Sequence, residues 1–158
     1  MDFREICKTD DAVLAGIIRS NLKAHGLDIP GTVYFDDNLD HLSDFYLGDA
    51  AKRYYCIALE KEEVVGGIGL AELAFMEDCA ELQKLYLADY VKGSGIGYTL
   101  IQMIEEKAKE LGYRKMYLET HTNLAAAIHI YEKSGYLEIE KPAEVVHSTM
   151  NRFYIKDL

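Results

Sequence analysis

Cysteine is scarce in this chain. Cys7, Cys56 and Cys79 are odd in number and far apart, with no CxxC pair and no histidine at zinc-finger spacing. That excludes a disulfide framework and a cysteine-based metal site, and it suits a reducing compartment. Long apolar runs are missing too. No stretch approaches membrane-spanning length, and the start, Met1-Asp2-Phe3-Arg4-Glu5, has no basic segment leading into an apolar one. A cytoplasmic setting without a membrane partner is the expectation. Basic residues are the third shortage, since 17 Lys and Arg face 27 Asp and Glu, a net charge of −10 with His neutral. Such a field repels phosphate backbones and anionic bilayers, which argues against a nucleic-acid partner and favours cationic ligands such as free amines. Proline occurs only at Pro30 and Pro142, and no linker, repeat or low-complexity stretch interrupts the chain.

What is present is core material, 49% hydrophobic against 28% charged in 158 residues, enough for one domain over 1–158. Residues 3–7 read as a short strand. Thr9 or Asp10 stands where a cap would start a helix carrying Leu14, Ile17, Ile18 and Leu22 on one face, with Gly26 as its stop. Leu39, Leu42, Phe45 and Tyr46 predict a shorter helix. Three β-rich runs, 53–60, 64–75 and 80–87, are joined by turns short enough to require an antiparallel meander. Ile96, Leu100, Ile104, Ala108 and Leu111 then predict an amphipathic helix closed by Gly112. A strand at 115–120 follows. Leu124, Ala127, Ile128 and Tyr131 share a face of a last helix, with Thr122 or Asn123 as cap and Gly135 as stop, before strands at 136–140 and 149–155. The order predicts a mixed α/β (α+β) layer with helices on both faces, not a doubly wound parallel sheet.

The segment Lys92-Gly93-Ser94-Gly95-Ile96-Gly97 joins a predicted strand to the start of the strongest helix. Its glycines let a ligand approach the backbone, and unpaired amides at a helix start, with the macrodipole behind them, suit a phosphate or pyrophosphate. Lys92 adds a point charge. The loop is not a Walker A motif, because Tyr98 and Thr99 follow Gly97 where Lys and Ser or Thr are required, and neither register yields GxGxxG.

The match extends beyond the loop. Residues 80–136, AELQKLYLADYVKGSGIGYTLIQMIEEKAKELGYRKMYLETHTNLAAAIHIYEKSGY, resemble the two core motifs of the GNAT superfamily of acetyl-CoA-dependent N-acetyltransferases. The resemblance implies the GNAT acyl-CoA N-acyltransferase fold, a mostly antiparallel central sheet splayed in the middle. It also implies acetyl-CoA as co-substrate, held through its pyrophosphate by the main chain of Lys92, Gly93, Ser94, Gly95, Ile96 and Gly97. Lys92 stands where the family usually has Arg or Gln, which keeps a charge and loses a planar fork. Leu85, Tyr86 and Leu87 would pair with the pantetheine arm as with an added strand, and Asn123 would touch the cofactor across the gap. GNAT proteins are often dimers, so a homodimer is a further expectation.

Acetyl transfer from a thioester to an amine requires a base for the ammonium, polarisation of the carbonyl and an acid for the leaving thiolate. Glu81 is the first candidate base, eleven residues before Lys92 on a predicted core strand, a spacing that the resemblance matches to the catalytic Glu of histone-acetylating relatives. A surface-facing strand carboxylate fits the same position. Glu72 and Glu119 are the other candidates. The resemblance makes Tyr131 the acid that protonates the departing sulfur, although its place on the apolar face also suits plain packing. A backbone amide near Tyr86 or Leu87 would polarise the carbonyl. His121, His129 and His147 lack a visible partner, and an acetyl-cysteine route through Cys56 or Cys79 is the minor alternative, because strand cysteines are ordinarily inert.

The acceptor would meet Tyr34, Phe35, Asp36, Asp37, Asp40, Asp44, Tyr46, His147 and Tyr154, where aromatics and carboxylates suit a small cationic amine or a peptide amino group. The reading from another class is a non-catalytic CoA or acyl-CoA sensor with the same fold.

Overall fold

The computed structural model describes residues 1–146 and 148–158. Among them seven strands form one sheet, ordered β1 (Asp2–Glu5), β2 (Tyr54–Glu60), β3 (Glu63–Glu72), β4 (Cys79–Leu87), β5 (Lys115–Thr120), β7 (Arg152–Asp157) and β6 (Leu137–Ile139). Neighbours run antiparallel except β4 and β5.

Alternation along β2 distributes the core. Tyr55, Ile57 and Leu59 turn to one face, where they meet Leu14, Ile18 and Leu22 of α1 (Asp11–Ala24) and Leu42 and Tyr46 of α2 (Leu42–Leu47). Cys56 and Ala58 turn to the other, against Leu100, Ile101 and Ile104 of α3 (Ile96–Glu110) and Ile128 and Tyr131 of α4 (Ala125–Lys133). Both faces are therefore covered by helices, as expected. Each fully buried aliphatic side chain contributes about 1.5–3 kcal/mol. The buried Asp11 carboxylate accepts from Ser43 N (2.9 Å) and Ser43 Oγ (2.6 Å), which ties the start of α1 to α2.

Several local expectations shift. Asp10 holds the N-cap position of α1 without capping it; its carboxylate accepts from Cys7 N at 2.8 Å and takes the Arg4 guanidinium at 2.8 and 2.9 Å. Ile17 is only partly buried. Leu124, not Thr122 or Asn123, occupies the N-cap of α4. β3 stops at Glu72, one residue before Leu73 N makes a last bond to Cys79 O at 3.2 Å, and β7 begins at Arg152.

The sheet splays between β4 and β5. The two pair at Cys79↔Lys115, Ala80↔Met116 and Glu81↔Tyr117, and then part. The divergence coincides with a bulge, seen as a slip in the β3–β4 register between Gly67 and Gly69 and a left-handed φ of 52° at Lys84. Gly67 and Gly69 make room behind it. A Cβ at Gly67 would collide with Cys56 O and the Tyr55 ring, and one at Gly69 would lie 2.6 Å from Tyr55 and 2.9 Å from Tyr46. The rings so admitted secure the bulge, with Tyr55 Oη donating to Lys84 O and Tyr46 Oη donating to Gln83 Oε1, both at 2.8 Å.

Candidate active site

The parting of β4 and β5 opens a cavity of about 440 Å³. Leu85, Tyr86, Leu87, Lys92, Gly93, Gly95, Ile96, Gly97 and Tyr131 all lie on its wall, so nine of the residues singled out from the sequence are brought together. Ala88 N donates to Val65 O of β3 at 2.8 Å. By strand alternation Leu87, and likewise Leu85, then turns its peptide groups to the gap. The Leu87 carbonyl is already held there by Asn21 Nδ2 at 2.8 Å.

At one end of the cavity lies the start of α3. Gly93 and Gly95 have φ of 79° and 84°, and nothing stands within 4 Å of where their Cβ atoms would be. The ground in front of the helix's first amides is open, and those amides have no intrahelical partner. Gly97 serves a different purpose, because Ile130 Cδ1 would be 3.0 Å from its Cβ, so it lets α4 close on α3. Ser94 is not on the wall, and its hydroxyl donates to Val91 O at 2.5 Å. The Lys92 ammonium donates to Asp89 Oδ1 at 2.7 Å and Asn21 Oδ1 at 2.9 Å, which braces the loop against α1.

Asn123 is not on the wall either. Its Nδ2 donates to His25 O at 3.0 Å, linking the connection before α4 to the end of α1. Tyr131 is 6% exposed, and among the described residues its hydroxyl has no hydrogen-bond partner, leaving it available to the cavity. Burial, with the Tyr86 phenol beside it, raises its pKa, so it remains a donor at neutral pH.

Two carboxylates share the α1/α2 face of the sheet, Glu81 on β4 and Glu119 on β5. Glu81 lies behind the wall and accepts from Gln83 Nε2 at 2.7 Å, so that Tyr46, Gln83 and Glu81 form a hydrogen-bonded chain. Burial raises the pKa of Glu81, the Gln83 amide draws it back, and the Glu119 charge adds to the rise. Glu119 is on the wall and accepts from Tyr117 Oη at 2.8 Å. Glu72 lies elsewhere, engaged by Arg53 at 2.6 Å. Cys56 and Cys79 are off the wall, with burial pushing both thiols up to about 11.

A family model described as "Acetyltransferase (GNAT) family" matches residues 17–136. The chain belongs to the GNAT acetyltransferase family. It is 36% identical over 139 residues to the uncharacterized N-acetyltransferase YjgM of Escherichia coli, covering 87% of this chain and 82% of that one. It is 27% identical over 103 residues to the spermidine N(1)-acetyltransferase of Vibrio cholerae, covering 65% and 59% of the two chains. Among solved structures, the PaiA N-acetyltransferase of Thermoplasma acidophilum in complex with coenzyme A superimposes with a TM-score of 0.79 at 19% identity, over 99% of this chain and 98% of that one. Family and fold are thus those that the resemblance implied, and the protein is an acyltransferase.

In this GNAT enzyme the cavity also carries residues that sequence reasoning missed: Asn21 from the last turns of α1, His25 at its C-cap, Lys84 from the bulge, and Met150 from the connection before β7. Asn21 had a readable signal, a polar residue beside the apolar stripe of α1, and it is 8% exposed. Of the expected acceptor residues, Tyr46 is fully buried under β4, and Tyr154 packs on the α3/α4 face with its hydroxyl donating to Glu132 at 3.1 Å. Asp40 is paired with Arg19 at 2.7 Å on the surface. His129 lines the cavity wall, His121 Nδ1 accepts from Asn123 N, and His147 lies outside the described residues.

Proposed function

We propose that this enzyme transfers the acetyl group of acetyl-CoA to the nitrogen of a primary amine, on a small molecule or a peptide, by direct attack while both substrates are bound. The observation that carries the reading is one continuous cavity joining open glycine ground at the α3 mouth, gap-facing amides on β4 and a protonated, unpartnered Tyr131 hydroxyl. The residues present fit the co-substrate. Amides from 93–97 would bind the diphosphate, and the Leu85 and Leu87 amides would orient the pantetheine arm as an added strand does. Acetyl-CoA supplies an activated acyl group, and every other requirement falls to the chain. Tyr131 donates a proton at the sulfur. Glu81, held in place by the Gln83 amide and reaching the cavity through ordered water, with Glu119 on the wall beside it, takes the proton of the ammonium. The surplus of negative charge, with Asp36 acting through space on Lys84 of the wall, favours an amine. Unpaired thiols and the absence of a membrane-crossing helix among the described residues agree with a cytoplasmic setting.

The test is release of free CoA thiol from acetyl-CoA over a panel of amines. Saturable release with at least one amine and formation of the N-acetyl product is expected. Tight acetyl-CoA binding without turnover across the panel would overturn the enzyme reading in favour of a CoA-binding regulator.

A further inference from the structure

We propose that the acceptor carries an anionic group of the carboxylate kind close to its reacting amine, and that the Lys84 ammonium binds it. The proposal rests on the amine-acetylation reading above and names the acceptor class within it.

Lys84 lies on the cavity wall at the point where β4 bulges, and it is only partly exposed. Its φ of 52° places a long side chain in a backbone region that glycine and asparagine occupy more easily. Such an outlier persists only where its surroundings hold it, and here the Tyr55 hydroxyl grips the Lys84 carbonyl. The ammonium, by contrast, is unmatched. Lys92, Lys107, Lys109, Lys115 and Lys156 each have a carboxylate within 4.0 Å, and the lysines without one are exposed to solvent apart from Lys84, which among the described residues has neither an ion pair nor a hydrogen bond from its side chain. Burial opposes its charge, and the acids that act on it through space, Asp36 and Glu81, do not come within ion-pair distance. Glu81 is already engaged by Gln83.

A cation enclosed in a binding cavity and short of partners is a place for a ligand anion, because the ligand meets a charge whose desolvation has already occurred in folding. The phosphates of the donor are not that anion. They belong at the α3 mouth, and Lys84 precedes Leu87 by three strand residues, roughly 10 Å of β4, before the chain turns toward that mouth. The bulge end of the cavity is left to the acceptor. An amine that also bears a carboxylate satisfies both signs there, its ammonium facing the Glu81 and Glu119 side and its anion facing Lys84.

The experiment pairs α-amino acids with the amines obtained by removing their carboxylate, adds spermidine, and measures kcat/KM for the full chain and for Lys84→Met and Lys84→Arg. The wild type is expected to prefer the amino acid of each pair. Lys84→Met should lower that preference about 10- to 100-fold, the range for losing one charge-assisted hydrogen bond, chiefly through KM, and Lys84→Arg should restore part of it. A wild type that prefers spermidine or the decarboxylated amines overturns the proposal, as does a Lys84→Met variant whose kcat falls equally for both members of each pair. Absence of turnover with every amine overturns the amine-acetylation reading by itself. The anion site is then judged by whether N-acetyl amino acids raise the Tm of wild type more than that of Lys84→Met; an equal rise in both overturns it.

Discussion

The two ends of the cavity are made of different materials. At the α3 mouth the wall is main chain and glycine, with Gly93 and Gly95 open in front and Lys92 tied back to Asn21 and Asp89. At the bulge the wall is ionisable and aromatic side chains, held in place by the Tyr46 and Tyr55 hydroxyls. Peptide amides recognise a diphosphate whatever the side chains around them, so the mouth can serve a donor common to a whole family. Side chains discriminate, so on the proposed reading the bulge end is where one acceptor would be told from another.

The sharpest break of that contrast is Gly95→Val. Its Cβ meets nothing in the folded protein, so the fold should persist with a left-handed backbone cost of about 1–2 kcal/mol, while CoA affinity drops at least ~100-fold because the new side chain fills the open ground. Calorimetry showing ordinary affinity would remove the mouth as donor site. Tyr131→Phe comes next, with kcat reduced about 100-fold, within the span of general acid catalysis, and CoA binding almost unchanged; an unaltered rate would make Tyr131 a packing residue. Glu81→Gln should lower kcat/KM roughly 10- to 100-fold and abolish the acidic limb of its pH profile. The sign follows from the raised pKa: activity depends on the ionised form, so it falls as pH drops through a value above the ordinary ~4.3 of Glu.

Tyr55→Phe probes the bulge end alone. It leaves Lys84 O without its donor and should cost about 1–3 kcal/mol of stability, seen as a lower Tm, and raise KM for the acceptor more than for acetyl-CoA. Equal effects on both substrates would erase the distinction between the ends. The smallest effect is expected of Cys56→Ala with Cys79→Ala, where turnover should be retained because neither thiol reaches the wall. Loss of activity in a folded double variant would revive a covalent route.

The mouth was legible in the sequence because its signals are local. Glycine spacing, the apolar period from Ile96 to Leu111 and the Gly112 stop lie within one short stretch, and the helix begins where they say. The bulge end has no such stretch. Lys84 and Met150 come from distant segments, and the bulge arises only when β3 glycines admit two rings contributed by α2 and β2. Polar residues with several partners on offer were the other difficulty. Asp10 prefers Arg4 and Cys7 N to the helix it precedes, and Asn123 reaches across to His25 O instead of into the cavity.

Because the bulge is clamped through the Lys84 carbonyl and the Gln83 side chain, the main chain at position 84 is fixed independently of what that residue carries. The mount and the tool are separate parts. If Lys84 binds the acceptor as proposed, a single codon there would retune which acceptor is welcomed, and Asn or Asp would sit in the left-handed backbone with less strain than lysine, whereas Val or Ile would fight it. The same position is therefore the natural first library site for redirecting this enzyme, with the donor half left untouched.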